Sequence, residues 1–305
     1  MNLEVILFFM DWIDDFLTYI STEKRFSQHT ITAYQTDLNQ FDLFVKNEMG
    51  FSSIKEVNFQ AIRSWIFFLL ENENTARSVN RKISTLKTFY KFLMKNSYIQ
   101  SNPMSKIISP KQSQRLPSFV DEGQMNNLFS VIEFPDTFEG IRDKTILETF
   151  YALGIRLSEL INITLQSIDF HNQTIRIIGK RNKERIIPFG PHLKKCLEQY
   201  LKMYEKTFGM LQQNSPIFVT NKGSKAYPML INRIVNKYIA MVSSIEQKSP
   251  HVIRHTFATH LLNQGADLNA IKELLGHANL AATQVYTHTS IEKLKKIYKN
   301  AHPRA

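Results

Sequence analysis

The chain has 305 residues, of which 43% are hydrophobic and 21% are charged. This balance predicts roughly two globular domains and excludes a disordered chain, a collagen-like repeat and a coiled-coil rod. The single cysteine, Cys196, excludes an intrachain disulfide and favours a reducing compartment. The apolar run Val5 to Met10 is far shorter than the roughly 20 residues of a membrane span. It also lacks the basic flank of a secretory signal, so we expect a soluble cytoplasmic protein.

Positive charge is concentrated in two parts of the chain. Lys and Arg outnumber Asp and Glu by 38 to 27, a net charge of +11. Residues 111–305 hold 26 basic and 16 acidic side chains, whereas residues 1–110 hold 12 and 11. Even in the nearly neutral part, no acid occurs from residue 75 to residue 120. This distribution favours nucleic acid as a partner, with a solubility role as the open alternative.

The apolar spacing of the first hundred residues predicts four helices, over about 12–20, 27–45, 61–70 and 75–95. The fourth helix carries one apolar stripe, and its other faces carry basic residues without any acid. A solvated helix face usually mixes both signs of charge. We therefore predict that this helix contacts the phosphate backbone of DNA, with a plain solvated face as the alternative. The predicted DNA-binding residues are Arg77, Arg81, Lys87, Lys91 and Lys95.

Proline, polar residues and positive charge mark a basic linker over residues 105–118. This linker predicts an N-terminal helical domain over 1–104 and a second domain over 119–305. In the second domain, helical patterns occupy about 121–131, 139–153, 157–163, 191–206 and 229–242 and then continue to the C-terminus. Thr174 to Ile178 and Arg185 to Pro188 flank a polar turn, which predicts an antiparallel hairpin. The expected fold class is mainly α with a small antiparallel β-sheet in the C-terminal domain.

A helix beginning near Ser249 has the properties of an anion site. Ser249 is expected to cap the helix, and Pro250 suits its first position. His251 and Arg254 then share one face next to the free N–H groups of the first turn. A zinc site at His251 and His255 is the alternative, but the metalloprotease pattern needs Glu where this chain has Val252.

Four further residues attract attention, although each has an ordinary structural explanation when taken alone. Gly154 is expected to end one helix and place Arg156 at the start of the next. Lys180 lies at the tip of the predicted hairpin. Gly276 is expected to end another helix just before His277, with Tyr286 nine residues later.

Together these segments resemble the motifs of the tyrosine site-specific recombinases, the phage-integrase family, and above all its bacterial Xer members. The matching segments occur in the family's order and spacing: YALGIRLSEL at 151–160, GKRNKER at 179–185, HVIRH at 251–255, LLGH at 274–277 and YTH at 286–288. Residues 23–37 resemble the opening of the family's N-terminal domain. Residues 1–9 precede the point where relatives typically begin and are interpreted as a non-essential extension or a mis-assigned start. The resemblance implies a two-domain DNA clamp, made of a helical core-binding domain and an α+β catalytic domain.

The resemblance also implies a role for six positions. Tyr286 would be the nucleophile that attacks a scissile DNA phosphate and leaves a 3′-phosphotyrosyl bond. Arg156 and Arg254 would hold the non-bridging oxygens and stabilise the pentavalent transition state. Lys180 would protonate the departing 5′-oxygen. Two histidines would assist proton transfer at the tyrosine and bond a phosphate oxygen; these are His251 and His277, respectively.

The family architecture further implies partners. The expected substrate is a double-stranded DNA recombination site, bound by a homo- or hetero-tetramer with a paired recombinase that works through a Holliday junction. Chromosome and plasmid dimer resolution at cell division, with a septal DNA translocase, is the expected setting; no metal, cofactor or membrane is expected. In relatives the C-terminal helix docks on a neighbouring subunit, and the sequence leaves open whether residues 290–300 do so or pack in cis. A mobile-element integrase and a catalytically silent DNA-binding relative are the alternatives.

Overall fold

The computed structural model describes residues 12–111, 118–179, 183–276 and 288–305. The chain divides into two compact units, Met1–Arg115 and Leu116–Ala305. Within the described residues, no helix combines the length and the apolar character that crossing a bilayer requires.

The N-terminal unit consists of helices around an aromatic core. The structure has α1 at Trp12–Thr22, α2 at Gln28–Asn47, a 3₁₀ turn at Ile54–Glu56, α3 at Phe59–Glu71 and α4 at Ala76–Lys95. The four expected helices are thus present. Fully buried rings from α1, α2 and α4 fill the core, among them Phe16, Phe41 and Phe89. Ser27 caps α2 as expected, since its side chain accepts from the Thr30 N–H at 3.3 Å.

Helix α4 is amphipathic in the way its sequence predicts. The residues of its apolar stripe are all buried: Val79, Ile83, Leu86, Tyr90 and Leu93. Asn80 Nδ2 donates to the Pro110 carbonyl at 2.9 Å, which ties the segment after α4 to this helix. The remaining surface of α4 exposes Arg77, Lys87, Lys91 and Lys95.

The C-terminal unit combines helices with one small sheet. The helices are α5 at Glu122–Ser130, α6 at Phe138–Leu153, α7 at Leu157–Ile161, α8 at Pro191–Phe208, α9 at Pro228–Val242, α10 at Pro250–Asn263, α11 at Leu268–Leu275 and α12 at His288–Ala301. A 3₁₀ turn occupies Leu165–Ser167. The strands are β1 at Ile168–Asp169, β2 at Thr174–Ile178 and β3 at Glu184–Pro188.

The sheet is antiparallel in the order β1-β2-β3. Strands β2 and β3 form the expected hairpin, with Thr174 opposite Pro188 and Ile178 opposite Glu184. The two-residue strand β1 adds a partner that the hairpin pattern alone does not predict. In β3, Arg185 and Ile187 are both buried and lie two residues apart, so this arginine points to the core side of the sheet.

Two glycines end the helices that lead into the motif segments. Gly154 follows α6 with φ +57°, and a β-carbon there would lie 2.3 Å from Phe257 Cδ1. Gly276 follows α11 with φ +67°, so both positions have the left-handed backbone that glycine adopts without strain. At the start of α10, Pro250 occupies the first turn as expected. The expected cap at Ser249 is wrong in one respect, because its side chain makes no capping hydrogen bond.

Helix α12 packs within its own unit. Leu294, Tyr298 and Ala301 are buried in the core of the C-terminal unit. Beyond the helix, His302 Nε2 lies 3.0 Å from the Tyr151 carbonyl oxygen, and Arg304 Nε donates to Glu148 at 2.7 Å. These contacts hold the C-terminal segment against α6 of its own unit.

Candidate active site

Arg254 lies one turn into α10 and is 9% exposed. Its Nη1 donates to the Gly154 carbonyl and its Nη2 to the Leu275 carbonyl, both at 2.7 Å. These carbonyls lie at the C-terminal ends of α6 and α11, where the helix dipole favours a cation. Burial, followed by the charges of Arg156 and Arg185, lowers the pKa of Arg254 to about 10. The guanidinium therefore remains charged at neutral pH.

Arg156 lies at the N-terminus of α7, two residues after the glycine that ends α6. Its Nη1 donates to Glu159 Oε1 at 2.9 Å, and its Nη2 lies 3.4 Å from the Gly276 carbonyl oxygen. Arg254 donates to the carbonyl of Leu275, the residue directly before Gly276. The two guanidinium groups therefore contact consecutive backbone carbonyls at the end of α11. Unlike Arg254, the Arg156 side chain is 36% exposed and accessible to a ligand.

The carboxylate of Glu159 lies between two of the arginines. Arg185 donates to it through Nη1 at 3.0 Å and through Nη2 at 2.8 Å, and the Arg156 backbone N–H donates at 2.8 Å. Burial alone would raise the pKa of Glu159, but the hydrogen bonds and charges of Arg185 and Arg156 outweigh it and hold the pKa at about 2.

Two guanidinium groups thus bind the Glu159 carboxylate, and the third, that of Arg254, lies close enough to feel the charges of all three groups. The cluster therefore has an excess of two positive charges. Because Arg156 is partly exposed, part of this excess positive charge faces solvent. Guanidinium groups bind phosphate oxygens bidentately, and a partly desolvated cluster favours an anion more strongly than isolated surface arginines do. The arrangement is suited to holding a phosphate and stabilising additional negative charge on it.

His251 lies in the first turn of α10 and is exposed, one turn before Arg254. His255, its partner in the alternative zinc site, instead faces Phe119, with the ring centroids 6.4 Å apart. Among the described residues, no group of three His, Cys, Asp or Glu side chains has an arrangement that could hold a metal ion.

Three expected catalytic residues lie outside the described residues: Lys180, His277 and Tyr286. The residues directly before two of them are described, and these lie next to the arginine cluster. Gly179 directly precedes Lys180, and Gly276 directly precedes His277. A β-carbon at Gly179 would lie 3.4 Å from Glu159 Oε1, and the Gly276 carbonyl contacts Arg156.

The expected DNA-binding residues of α4 differ in their surroundings. Arg77, Lys87 and Lys91 are exposed, and Lys95 Nζ lies 5.5 Å from the ring centroid of Tyr19. The fifth, Arg81, donates to Asp37, a fully buried carboxylate of α2. A sixth cation of the helix, the buried Lys82, also approaches Asp37, at 3.3 Å. Asp37 thus supplies from α2 the negative charge that the α4 sequence lacks.

Sequence reasoning missed Glu159 and Arg185 as site residues, although both lie inside the quoted motifs. A signal for Arg185 was available. It alternates with Ile187 in an apolar strand pattern, and an arginine at an inward position needs a buried partner. Glu159 lies three residues after Arg156, the spacing at which a side chain accepts from the first backbone N–H of a helix.

Comparisons with known proteins match both units. The model of the phage integrase family matches residues 118–293, and that of the phage integrase N-terminal SAM-like domain matches residues 13–97. Tyrosine recombinase XerC of Staphylococcus epidermidis is 41% identical over 297 residues, 97% of this chain and 99% of that protein. XerC of Staphylococcus aureus is 40% identical over 291 residues, 95% and 96% of the two chains.

Two solved structures share the fold. XerH bound to its palindromic difH substrate has a TM-score of 0.70 at 20% identity and covers 93% of each chain. The Tn1549 transposon integrase with transposon right end DNA has a TM-score of 0.72 at 18% identity, covering 93% of this chain and 98% of that chain.

The protein belongs to the phage integrase family, the class of tyrosine recombinases. Within that class it is XerC-like, an enzyme of Xer-type site-specific recombination that cleaves and rejoins DNA.

Proposed function

We propose that this enzyme cuts DNA by attack of the Tyr286 hydroxyl on a scissile phosphate. The new ester joins the tyrosine oxygen to the 3′-phosphate, and the bond to the 5′-oxygen breaks, which releases a 5′-hydroxyl. A second strand's 5′-hydroxyl then attacks the same phosphorus and expels the tyrosine. Each step exchanges one phosphate ester for another, so the energy of the bond is retained and no nucleotide cofactor is consumed.

One observation carries this proposal. Arg254 donates to the Leu275 carbonyl, and Arg156 lies against the next carbonyl, that of Gly276. Fixed backbone acceptors hold both guanidinium groups before any substrate binds. A pentavalent phosphorus carries more negative charge on its equatorial oxygens than the starting diester does. Preorganised cations stabilise that added charge more than they stabilise the bound diester, and this lowers the barrier.

Proton transfer would involve three further side chains. A phenol with a pKa near 10 needs a site that favours its deprotonation, and His251 is proposed to assist there. Lys180 is proposed as the acid that protonates the leaving 5′-oxygen, and His277 as a donor to a phosphate oxygen. The arginines and the lysine supply the positive charge that metal ions provide in other phosphoryl-transfer enzymes, so we expect cleavage to proceed in EDTA.

Recombination of two DNA sites requires four strand cleavages, so we propose that four protomers assemble on two sites and cut in pairs. The product of the first exchange is a Holliday junction. The tetramer is either a homo-tetramer or a hetero-tetramer with a paired recombinase, in which α12 keeps its cis packing or exchanges between copies. Resolution of chromosome and plasmid dimers at cell division, with a septal DNA translocase, is the proposed setting in the cytoplasm. Similarity to XerC over nearly the whole chain supports this role over a mobile-element integrase.

The test is a DNA duplex with a nick next to the cleavage point, which traps the covalent adduct. The native protein should form the adduct in EDTA, and Tyr286→Phe should bind the duplex but form none. Tyr227→Phe is the matched control, because this tyrosine is exposed and its hydroxyl contacts only Arg233 among the hydrogen bonds of the described residues.

An adduct with Tyr286→Phe would show that another residue is the nucleophile. Binding without any adduct from the native protein would support the silent DNA-binding alternative. Sequencing the DNA trapped by the native protein across a genome would identify the recombination site.

A further inference from the structure

Arg185 in β3 is a buried arginine to which the proposed chemistry gives no role. It is 5% exposed, so it cannot contact DNA directly in this arrangement. Its Nε donates to the Leu274 carbonyl at 2.8 Å, and its Nη1 and Nη2 form a bidentate pair with Glu159. One side chain therefore joins the hairpin strand β3, the short helix α7 and the C-terminal end of α11.

The same guanidinium packs against two glycines that precede proposed catalytic residues. A β-carbon at Gly276 would lie 3.2 Å from Arg185 Cδ and Nη1, and the next residue is His277. A β-carbon at Gly179 would lie 3.6 Å from Arg185 Nη1, and the next residue is Lys180. Arg185 thus touches the chain immediately before each of two residues assigned to proton transfer and phosphate binding.

The planar fork of arginine is essential to these contacts. Three N–H groups point in fixed directions to acceptors on two other segments, whereas a lysine ammonium is a compact charge without that geometry. A lysine could keep the charge next to Glu159 but could not also reach the Leu274 carbonyl with the same rigidity. The charge and the geometry can therefore be separated by substitution.

We propose that Arg185 is a positioning residue for DNA cleavage, which fixes the hairpin carrying Lys180 against Glu159 and the end of α11. It does so by fixing Gly179 and Gly276, the residues directly before Lys180 and His277, next to Glu159 and the Arg156 guanidinium group. This proposal rests on the proposed function, because it depends on Lys180 acting as the general acid. An error of about 1 Å in placing a reacting group can reduce a rate about 100-fold.

The test uses two versions of the nicked duplex, one ordinary and one with sulfur in place of the scissile 5′-oxygen. A thiol has a pKa of about 8.5, far below that of an alcohol, so the thiolate departs without a general acid. Lys180→Ala should lose much of its cleavage rate on the ordinary duplex, about 10²–10⁴-fold, and recover on the sulfur duplex. Tyr286→Phe should fail on both.

Arg185→Lys should lose about 100-fold in the rate of adduct formation on the ordinary duplex and less than about 10-fold on the sulfur duplex. Its affinity for the duplex should stay within about twofold, because the side chain is buried away from DNA. Arg176→Lys is the matched control on the same hairpin. Its side chain is 48% exposed and pairs with Glu184 at 3.9 Å, so it should cleave both duplexes like the native protein.

Glu159→Gln tests the Arg185–Glu159 pair from the other side. It keeps the side-chain volume and removes the charge that Arg185 binds. If the two residues act as one unit, the double variant should lose little more than either single variant. Equal losses of Arg185→Lys on both duplexes, or a native rate on the ordinary one, would overturn the proposal. Neither result would affect the proposed function, which fails if the native protein forms no adduct or if Tyr286→Phe forms one.

Discussion

The two units use the same arrangement to hold an arginine at their surface. In the N-terminal unit, buried Asp37 binds the buried Lys82 and Arg81, whose side chain is 48% exposed. In the C-terminal unit, buried Glu159 binds the buried Arg185 and Arg156, whose side chain is 36% exposed. Each carboxylate thus anchors one cation inside the unit and orients one arginine toward solvent.

The difference between the two centres is the additional charge in the catalytic unit. Two cations surround Asp37, which leaves an excess of one positive charge. The centre at Glu159 contains three guanidinium groups, because Arg156 and Arg185 bind the carboxylate and two helix-terminal carbonyls hold Arg254 near Arg156. An excess of one suits a diester phosphate in the ground state, whereas an excess of two suits the additional charge of a transition state. One additional arginine would therefore distinguish the catalytic centre at Glu159 from the DNA-binding centre at Asp37.

Arg254→Ala tests this difference most directly. We expect the rate of adduct formation to fall by about 100- to 1000-fold, as for the loss of one preorganised donor to a developing charge. Duplex affinity should change far less, because the buried guanidinium acts mainly in the transition state. Single-turnover cleavage and equilibrium binding measure the two effects, with the exposed Arg233→Ala as control. A parallel loss of rate and affinity would remove the distinction between the two centres.

The ionised Glu159 in the catalytic centre should also make the stability of the folded protein depend on pH. The pKa of Glu159 is about 2 when folded and about 4.5 ordinarily, so the folded state binds fewer protons than the unfolded state between these values. The ionised form therefore contributes on the order of 3 kcal/mol above about pH 4.5, and this is lost as the pH falls towards 2. Urea unfolding should show that Glu159→Gln destabilises the protein strongly at pH 6 and much less at pH 3. The exposed Glu198→Gln should show little effect at either pH, and a constant Glu159→Gln effect would contradict the assignment.

In the C-terminal segment, His302 should give the docking of that segment a pH dependence of its own. Burial lowers the pKa of His302 to about 4, so between about pH 4 and pH 6.5 the unfolded state binds more protons and docking weakens as the pH falls. His260, with a pKa also lowered by burial, acts in the same direction. Glu148, with a pKa raised by burial, acts in the opposite one. Hydrogen exchange in α12 should show less protection at pH 5 than at pH 7, and His302→Gln should reduce or reverse that difference.

The smallest expected effect concerns α4. Lys91→Ala should lower the slope of log affinity against log salt by about one, the value for one lost phosphate contact, and Arg77→Ala should do the same. Lys46 of α2 is the control, because it pairs with Asp42 at 2.7 Å and was not assigned to the interface. An unchanged slope for Lys91→Ala would remove this face from the DNA interface and leave Asp37 with a purely structural role.

Local sequence patterns predicted most of the architecture. The helix ends at Gly154 and Gly276, the buried stripe of α4 and the β2–β3 hairpin all follow from spacing and turn chemistry over a few residues. The expected cap at Ser249 was wrong in its side-chain bond, although Ser249 does occupy the N-cap position with an extended backbone. The short strand β1 was missed because two residues carry too little pattern to be recognised.

The sequence by itself determined the order and spacing of the motif residues, the surplus of positive charge and the helical character of both units, because these properties are carried along the chain. Only the tertiary structure decided which charges meet. Asp37 reaches Arg81 across 44 residues, Arg185 reaches Leu274 across 89, and Arg304 reaches Glu148 across 156. Buried ion pairs depend on where distant segments pack, since a carboxylate leaves water only when the fold brings cations to it.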